Sequence, residues 1–204
     1  MSASPKPRQP WPMKWVALAI ILVIVPYTFL TLHYRKPGPA YRPYQDMKDR
    51  ANTIRLLSAG YQRVTLDAKR PADAITSIAA ASTGTAPGGL PDELRTTLVE
   101  PPLLPADILR VSAAASASAR LAYPIQLTCT VPNDKQQLAG AELYLKGDEI
   151  WITPDFELLT GGLLTRAREN LILLTIPPGT LKPGRYHVTL AGKNSSRTWT
   201  LQVQ

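Results

Sequence analysis

Cysteine and histidine are scarce in this chain. Its 204 residues hold one cysteine, Cys129, and two histidines, His33 and His187. A single thiol excludes an intrachain disulfide framework and any multi-cysteine zinc site. Two imidazoles leave little material for metal ligation or histidine acid–base chemistry. Phosphate-cradling glycine loops of the required spacing are missing, and so is a G-x-S-x-G turn that would present a serine nucleophile. Acids are lacking from one region in particular. Residues 1–72 carry 12 Lys and Arg against three acids (Asp46, Asp49 and Asp67), whereas residues 73–204 carry 11 against 12. The net charge of +8 therefore belongs to the first third of the chain. A nucleic-acid-binding fold carries its positive face on the folded domain, so no nucleic-acid partner is expected.

What is present begins with Trp15–Leu32, 18 residues without a charge. As a helix this run spans about 27 Å, close to the roughly 30 Å hydrocarbon core of a bilayer. Trp11 and Trp15 stand at one end, Tyr27 and Tyr34 near the other, as an aromatic belt would place them. Pro26 removes a backbone donor and is expected to kink the helix, which membrane helices tolerate. A cleaved signal peptide fits less well. The small residues Gly38-Pro39-Ala40 lie beyond Arg35 and Lys36, with a proline where cleavage would occur. The expected order is a cytoplasmic tail at 1–14, a transmembrane helix at 15–34, a Pro-rich spacer with a juxtamembrane helix at 35–60, and a β domain at 61–204. The membrane lipid bilayer is then a partner by construction. Orientation is contested within the sequence. Arg35, Lys36, Arg42, Lys48 and Arg50 outnumber Lys6, Arg8 and Lys14, which favours a cytoplasmic C-terminal domain. The short charged tail is costly to translocate and the domain looks exported, so the reading adopted is N-inside and C-outside.

Three prolines in residues 35–45 favour a semi-rigid extended spacer. A helix is expected next, with Asp46 capping its start and Gly60 at its end. Met47, Ala51, Ile54 and Leu57 or Ser58 fall near one face, and Lys48, Arg50 and Arg55 on the other. This helix either lies on anionic headgroups with its basic side down or caps the domain. From Tyr61 the period changes to two, with Val64, Leu66 and Ala68 on one face of a strand. Residues 70–107 are poorly periodic and read as an insertion, with a short helix at 91–98; the Ala/Ser run at 113–119 is a second weak zone. Seven further strands are expected at 108–114, 120–131, 141–146, 149–153, 171–176, 185–191 and 197–203, separated by turn signals. The fold class is mainly β: one transmembrane helix followed by an immunoglobulin-like antiparallel β-sandwich. In LKPGRYHV (181–188), Leu181, Gly184 and Tyr186 match a late corner of such domains, where a tyrosine hydroxyl bonds back across the turn.

The candidates for chemistry are few. Strand alternation puts His187 on the solvent side and Cys129 in the core. Asp148, Glu149, Asp155 and Glu157 cluster around one hairpin and read as solvated turn charge; a weak calcium site is the alternative. Asn194-Ser195-Ser196 matches a short glycosylation pattern. No catalytic residue, cofactor site or metal site is assigned, and no small-molecule substrate is expected. If the protein is instead an anchored domain for an envelope ligand (glycan, peptide or metal), a patch of Trp151, Asp155 and Glu157 is where it would bind. That patch requires Ile150 and Ile152, on the opposite face, to be buried.

The stretch beyond the anchor resembles FixH-like accessory proteins of cbb3-type cytochrome oxidase assembly. Tyr34, Gly38 and Tyr41 look like the family's linker, residues 46–59 like its polar helix, and Gly60-Tyr61 like that helix's end. Leu181, Gly184 and Tyr186 are similar to its late corner, and Trp199 to an aromatic of its last strand. Pro37 lengthens the linker by one residue, and residues 70–118 look inserted. The resemblance implies a single-pass protein of the bacterial inner membrane with a periplasmic domain. Its implied partner is an integral-membrane complex, a cytochrome oxidase or its copper-loading machinery, and it transfers no catalytic residue.

Overall fold

The computed structural model describes residues 12–34, 43–73, 81–159, 164–165 and 167–204. Trp11, Gly38 and Tyr41 lie outside them. The chain divides into two compact units, residues 1–43 and 44–204.

The described part of the first unit is dominated by α1 (Met13–Tyr34). It runs through Pro26, whose missing N–H leaves the Leu22 carbonyl without its usual donor. One turn on, the Thr31 hydroxyl donates to the Tyr27 carbonyl at 2.9 Å. Within it, Met13–Thr31 is long and apolar enough to cross a membrane, and none of that stretch is buried inside the chain. Trp15 and Tyr27 are both exposed on it, and Tyr34 is its last residue.

The second unit opens with α2 (Pro43–Ser58) and closes it with a glycine turn. Gly60 adopts φ +82°, its N–H bonds the Leu57 carbonyl at 3.1 Å, and the Tyr61 N–H reaches back to Leu56 at 2.8 Å. This is a Schellman ending, and the two residues that frame it, Leu56 and Tyr61, pack in one apolar cluster. The start of α2 differs from expectation. It begins at Pro43, whose fixed φ suits a first helical position, so Asp46 falls inside the first turn instead of capping it.

Among the described residues ten strands follow: β1 (Gln62–Lys69), β2 (Gly84–Pro87), β3 (Asp107–Ala113), β4 (Ser116–Ala117), β5 (Tyr123–Thr130), β6 (Gln136–Lys146), β7 (Glu149–Leu158), β8 (Glu169–Ile176), β9 (Gly184–Leu190) and β10 (Ser195–Val203), with a short helix α3 (Asp92–Thr97) after β2. They form one curled sheet in the order β2-β10-β9-β7-β6-β1-β8-β5-β3, with β4 also on β10. The curl turns at β1. Its first half, Gln62–Leu66, pairs with β6, and its second half, Asp67–Lys69, pairs with β8. β3, at one end of the path, meets β10, the strand next to the other end, where the Arg197 guanidinium donates to the carbonyls of Ile108 (3.1 Å) and Leu109 (3.3 Å).

The expectation of purely antiparallel strands is corrected. β7 pairs with β9 in parallel, and β4 with β10 likewise. The chain leaves β7, crosses to the other arm of the curl to build β8 between β1 and β5, and returns beside β7 running the same way. Within residues 70–107, α3 falls inside the short helix expected at 91–98, and β2 is a strand that periodicity did not announce. β7 outlasts its expected end at Thr153, because beyond Ile152 its outer edge is free of β9 and Pro154 loses no ladder bond there.

Alternation places one main core inside the curl. Ile108, Ile125, Leu127, Leu143, Ile150, Ile152, Ile172, Leu174 and Leu190 are fully buried in it. A second, smaller cluster forms on the opposite face of β6: Leu56, Tyr61, Leu94, Leu98 and Tyr144, with Trp151 against them. α2, α3 and the segment that follows thus cover the outside of the sheet.

Candidate functional site

The side chains on the outer face of β1, β6 and β7 are the ones that chemistry would have to use. Arg63 on β1 stands opposite Tyr144 on β6, which puts it diagonal to Glu142 two residues back. Its guanidinium binds the Glu142 carboxylate through both Nε and Nη2. Both partners are mostly screened from water, at 24% and 18% side-chain exposure. The Tyr144 hydroxyl donates to the same carboxylate at 2.9 Å, and Asp49 of α2 lies 3.5 Å from Arg63 Nη1. The Glu142 bonds hold the Arg63 guanidinium strongly in its protonated form. Burial, reinforced by Glu142, pushes the Tyr144 phenol far above the ordinary tyrosine range.

Around this pair opens a cleft of about 440 Å³ between α2, residues 98–103, β6 and β7. Lys48 on α2 bonds Glu100 at 2.6 Å, and the Glu100 carboxyl is thereby held below the usual glutamate range. Asn52 accepts the Val99 N–H at 2.7 Å. On β7, Asp155 accepts the Leu103 N–H at 3.0 Å, and burial raises its carboxyl above the usual aspartate range. β6 slips register by one residue between Leu138 and Gly140, directly opposite Phe156 and Asp155. Glu157 accepts from Gln137 at 2.6 Å. Two cations and five carboxylates thus line one cleft: Lys48 and Glu100 tie the two covering segments to each other, and the rest tie a covering segment to the sheet or two strands together. On the far side of α3, Lys146 pairs with Glu93 and lies over the Tyr61 ring at 4.9 Å from its centre. Burial and Glu93 push the Tyr61 hydroxyl up to about 12.

The sequence candidates fall in different places. Asp148 and Glu149 are exposed at the β6–β7 hairpin, whereas Asp155 sits half-buried within β7, so reading all four acids as solvated turn charge is corrected for Asp155. Ile150 and Ile152 are buried, yet Trp151 on the other face is half covered by the second cluster, so it does not form an open patch with Asp155 and Glu157. His187 is exposed. Cys129 is fully buried, and burial pushes its thiol up to about 12, which suppresses the reactive thiolate. Among the described residues no group of three or more His, Cys, Asp or Glu is placed to hold a metal ion. Asn194 donates to Asp107 at 3.2 Å, and Ser196 is buried.

Tyr61 belongs to the second cluster, next to the exposed Gly60 turn, whereas Leu181 and Tyr186 belong to the main core, with the Tyr186 hydroxyl donating to the Lys182 carbonyl at 3.0 Å. The Arg63–Glu142 pair was not singled out from sequence. Its signal is the alternation in AELYL (141–145), which sets Glu142 and Tyr144 on one face; what periodicity lacks is any hint that this face is covered.

At the level the fold and site define, this is a mainly β domain behind one apolar helix of membrane-spanning length, with a charged cleft whose groups are mutually engaged. No family model, curated protein or solved structure matches the chain.

Proposed function

We propose that the chain is a single-pass membrane accessory protein that works through protein–protein contacts and not by catalysis. The observation that carries this is α1, whose described side chains are all exposed and almost all apolar over a length suited to a bilayer. A helix with that surface needs lipid or another membrane protein to cover it. The cleft supports the non-catalytic half of the reading, because its carboxylates hold α2 and residues 98–103 in place and, among the described residues, no histidine or thiol lines it. The domain is read as a divergent immunoglobulin-like sandwich, supported by the Tyr186–Lys182 corner and the β9–β10 hairpin.

The FixH-like pattern at Tyr34, Gly38, Tyr41, Gly60 and Tyr61 makes a cbb3-type cytochrome oxidase, or the machinery that loads its copper, the first complex to test. In this reading the anchor sits in the bacterial inner membrane and the β domain meets the complex on its periplasmic face. The test is to purify the tagged full chain from its native membranes in mild detergent and identify stoichiometric companions by mass spectrometry. An integral-membrane complex should co-purify and be lost when α1 is replaced by an unrelated transmembrane helix. Purification of the chain alone overturns the proposal.

A further inference from the structure

The apolar face that the sequence offers as the buried side of α2 is not the side that packs. At 3.6 residues per turn, Met47, Ala51 and Ile54 fall within about 60° of arc, with Arg50 and Leu57 on one flank and Arg55 on the other. Met47, Ile54 and Leu57 are 72%, 62% and 64% exposed, and Ala51, Arg50 and Arg55 are exposed with them. The opposite side docks on the domain: Leu56 enters the second cluster, Asn52 holds the Val99 N–H, and Lys48 and Asp49 pair with Glu100 and Arg63. α2 is therefore committed on one face and presents an apolar stripe with arginine flanks on the other.

We infer that this stripe seats in the interfacial layer of an anionic bilayer, the one that α1 spans. The inference rests on the membrane-anchor reading of α1. Two observations select lipid as the occupant. The first is covalent reach: eight residues, 35–42, separate the two helices, so even a fully extended connection holds the start of α2 within about 30 Å of the end of α1. The second is charge. Arginines beside an apolar stripe let the aliphatic stems lie along the acyl boundary while the guanidinium heads reach phosphate. Three large side chains are too few to hold a free protein on a membrane. A tether changes that, because it makes the contact intramolecular at high effective concentration. The tether thus converts a weak stripe into a device that fixes which side of the β domain faces the membrane.

The test uses the full chain in vesicles of phosphatidylcholine and phosphatidylglycerol. An environment-sensitive fluorophore is placed on Ile54→Cys and, as the reference, on Lys193→Cys, an exposed position in the β9–β10 turn; Cys129 is buried and remains as it is. The expected result is blue-shifted emission from position 54, with quenching by shallow spin-labelled lipid roughly twofold or more above that at position 193, declining when the anionic lipid is omitted. Vesicle flotation separates the two readings. A chain that fails to float overturns the anchor and this inference with it. A chain that floats with position 54 as wet as position 193 overturns this inference alone. Shielding of position 54 in native membranes but not in lipid vesicles assigns the stripe to a protein, and equally overturns it.

Discussion

Asp155 sits on β7 beneath the Leu103 segment, and burial there raises its carboxyl above the ordinary aspartate range. A raised folded value means that the ionised form is penalised at neutral pH, and the penalty is relieved as pH falls through that value. Asparagine keeps an oxygen for the Leu103 N–H and never ionises. Asp155→Asn is therefore expected to be at least as stable as the parent at pH 7, with the difference shrinking as pH falls toward the ordinary aspartate value. Urea unfolding across a pH series checks this, and a variant that is less stable at neutral pH contradicts it. Glu100 has the opposite sign: Lys48 holds it low, so its contribution is present above the ordinary glutamate range and is lost as pH falls through its depressed value. Some of this was legible in sequence. Alternation alone puts Cys129 inside and His187 outside, and the structure places them so; it sets Ile150 and Ile152 opposite Trp151 without deciding which face is buried. Asp155 was not legible, because Pro154 reads as the end of a strand and only a free strand edge lets that strand continue.

At the scale of elements, α2 and α3 owe their place to a few side chains. Leu94 is the one fully buried residue of α3, six residues long, and it packs with Leu56, Leu98, Tyr61 and Tyr144. A helix this short has no independent stability, so its position depends on that contact. Leu94→Ala should cost about 2–4 kcal/mol in urea unfolding, the range for emptying a leucine site in a packed cluster. It should also raise hydrogen exchange across α3 and the end of α2 while leaving β5 and β8 protected. Uniform loss of protection would mean that the outer cluster is not a separate layer. The end of α2 at Gly60-Tyr61 was readable, because a glycine followed by an aromatic is a helix-stop signal with a mechanism. Its face was not. Met47, Ile54 and Leu57 look like a core stripe, but α2 covers a sheet face that carries Arg63 and Glu142, so its packing side is polar with Leu56 as its apolar anchor. β2 and β4 escaped detection because they are short, lie in Ala/Ser/Gly/Pro-rich sequence, and join through backbone pairing on β10.

For the whole molecule, the charge concentrates in the first structural unit: residues 1–43 carry six Lys and Arg and no acid, and residues 44–204 carry 17 against 15. Strand count and turn spacing made the mainly β character readable. The parallel β7–β9 pairing was not, because it follows from where β8 crosses and no local pattern encodes a crossover. In the proposed reading α1 crosses the membrane with its N-terminus inside and the β domain outside, against the simple count of positive charges beside the helix. Fusing alkaline phosphatase after Gln204 and a cytoplasm-active reporter at the same point in a second strain measures this directly. The account predicts an active phosphatase and a silent cytoplasmic reporter; an inactive phosphatase with an active cytoplasmic reporter contradicts it.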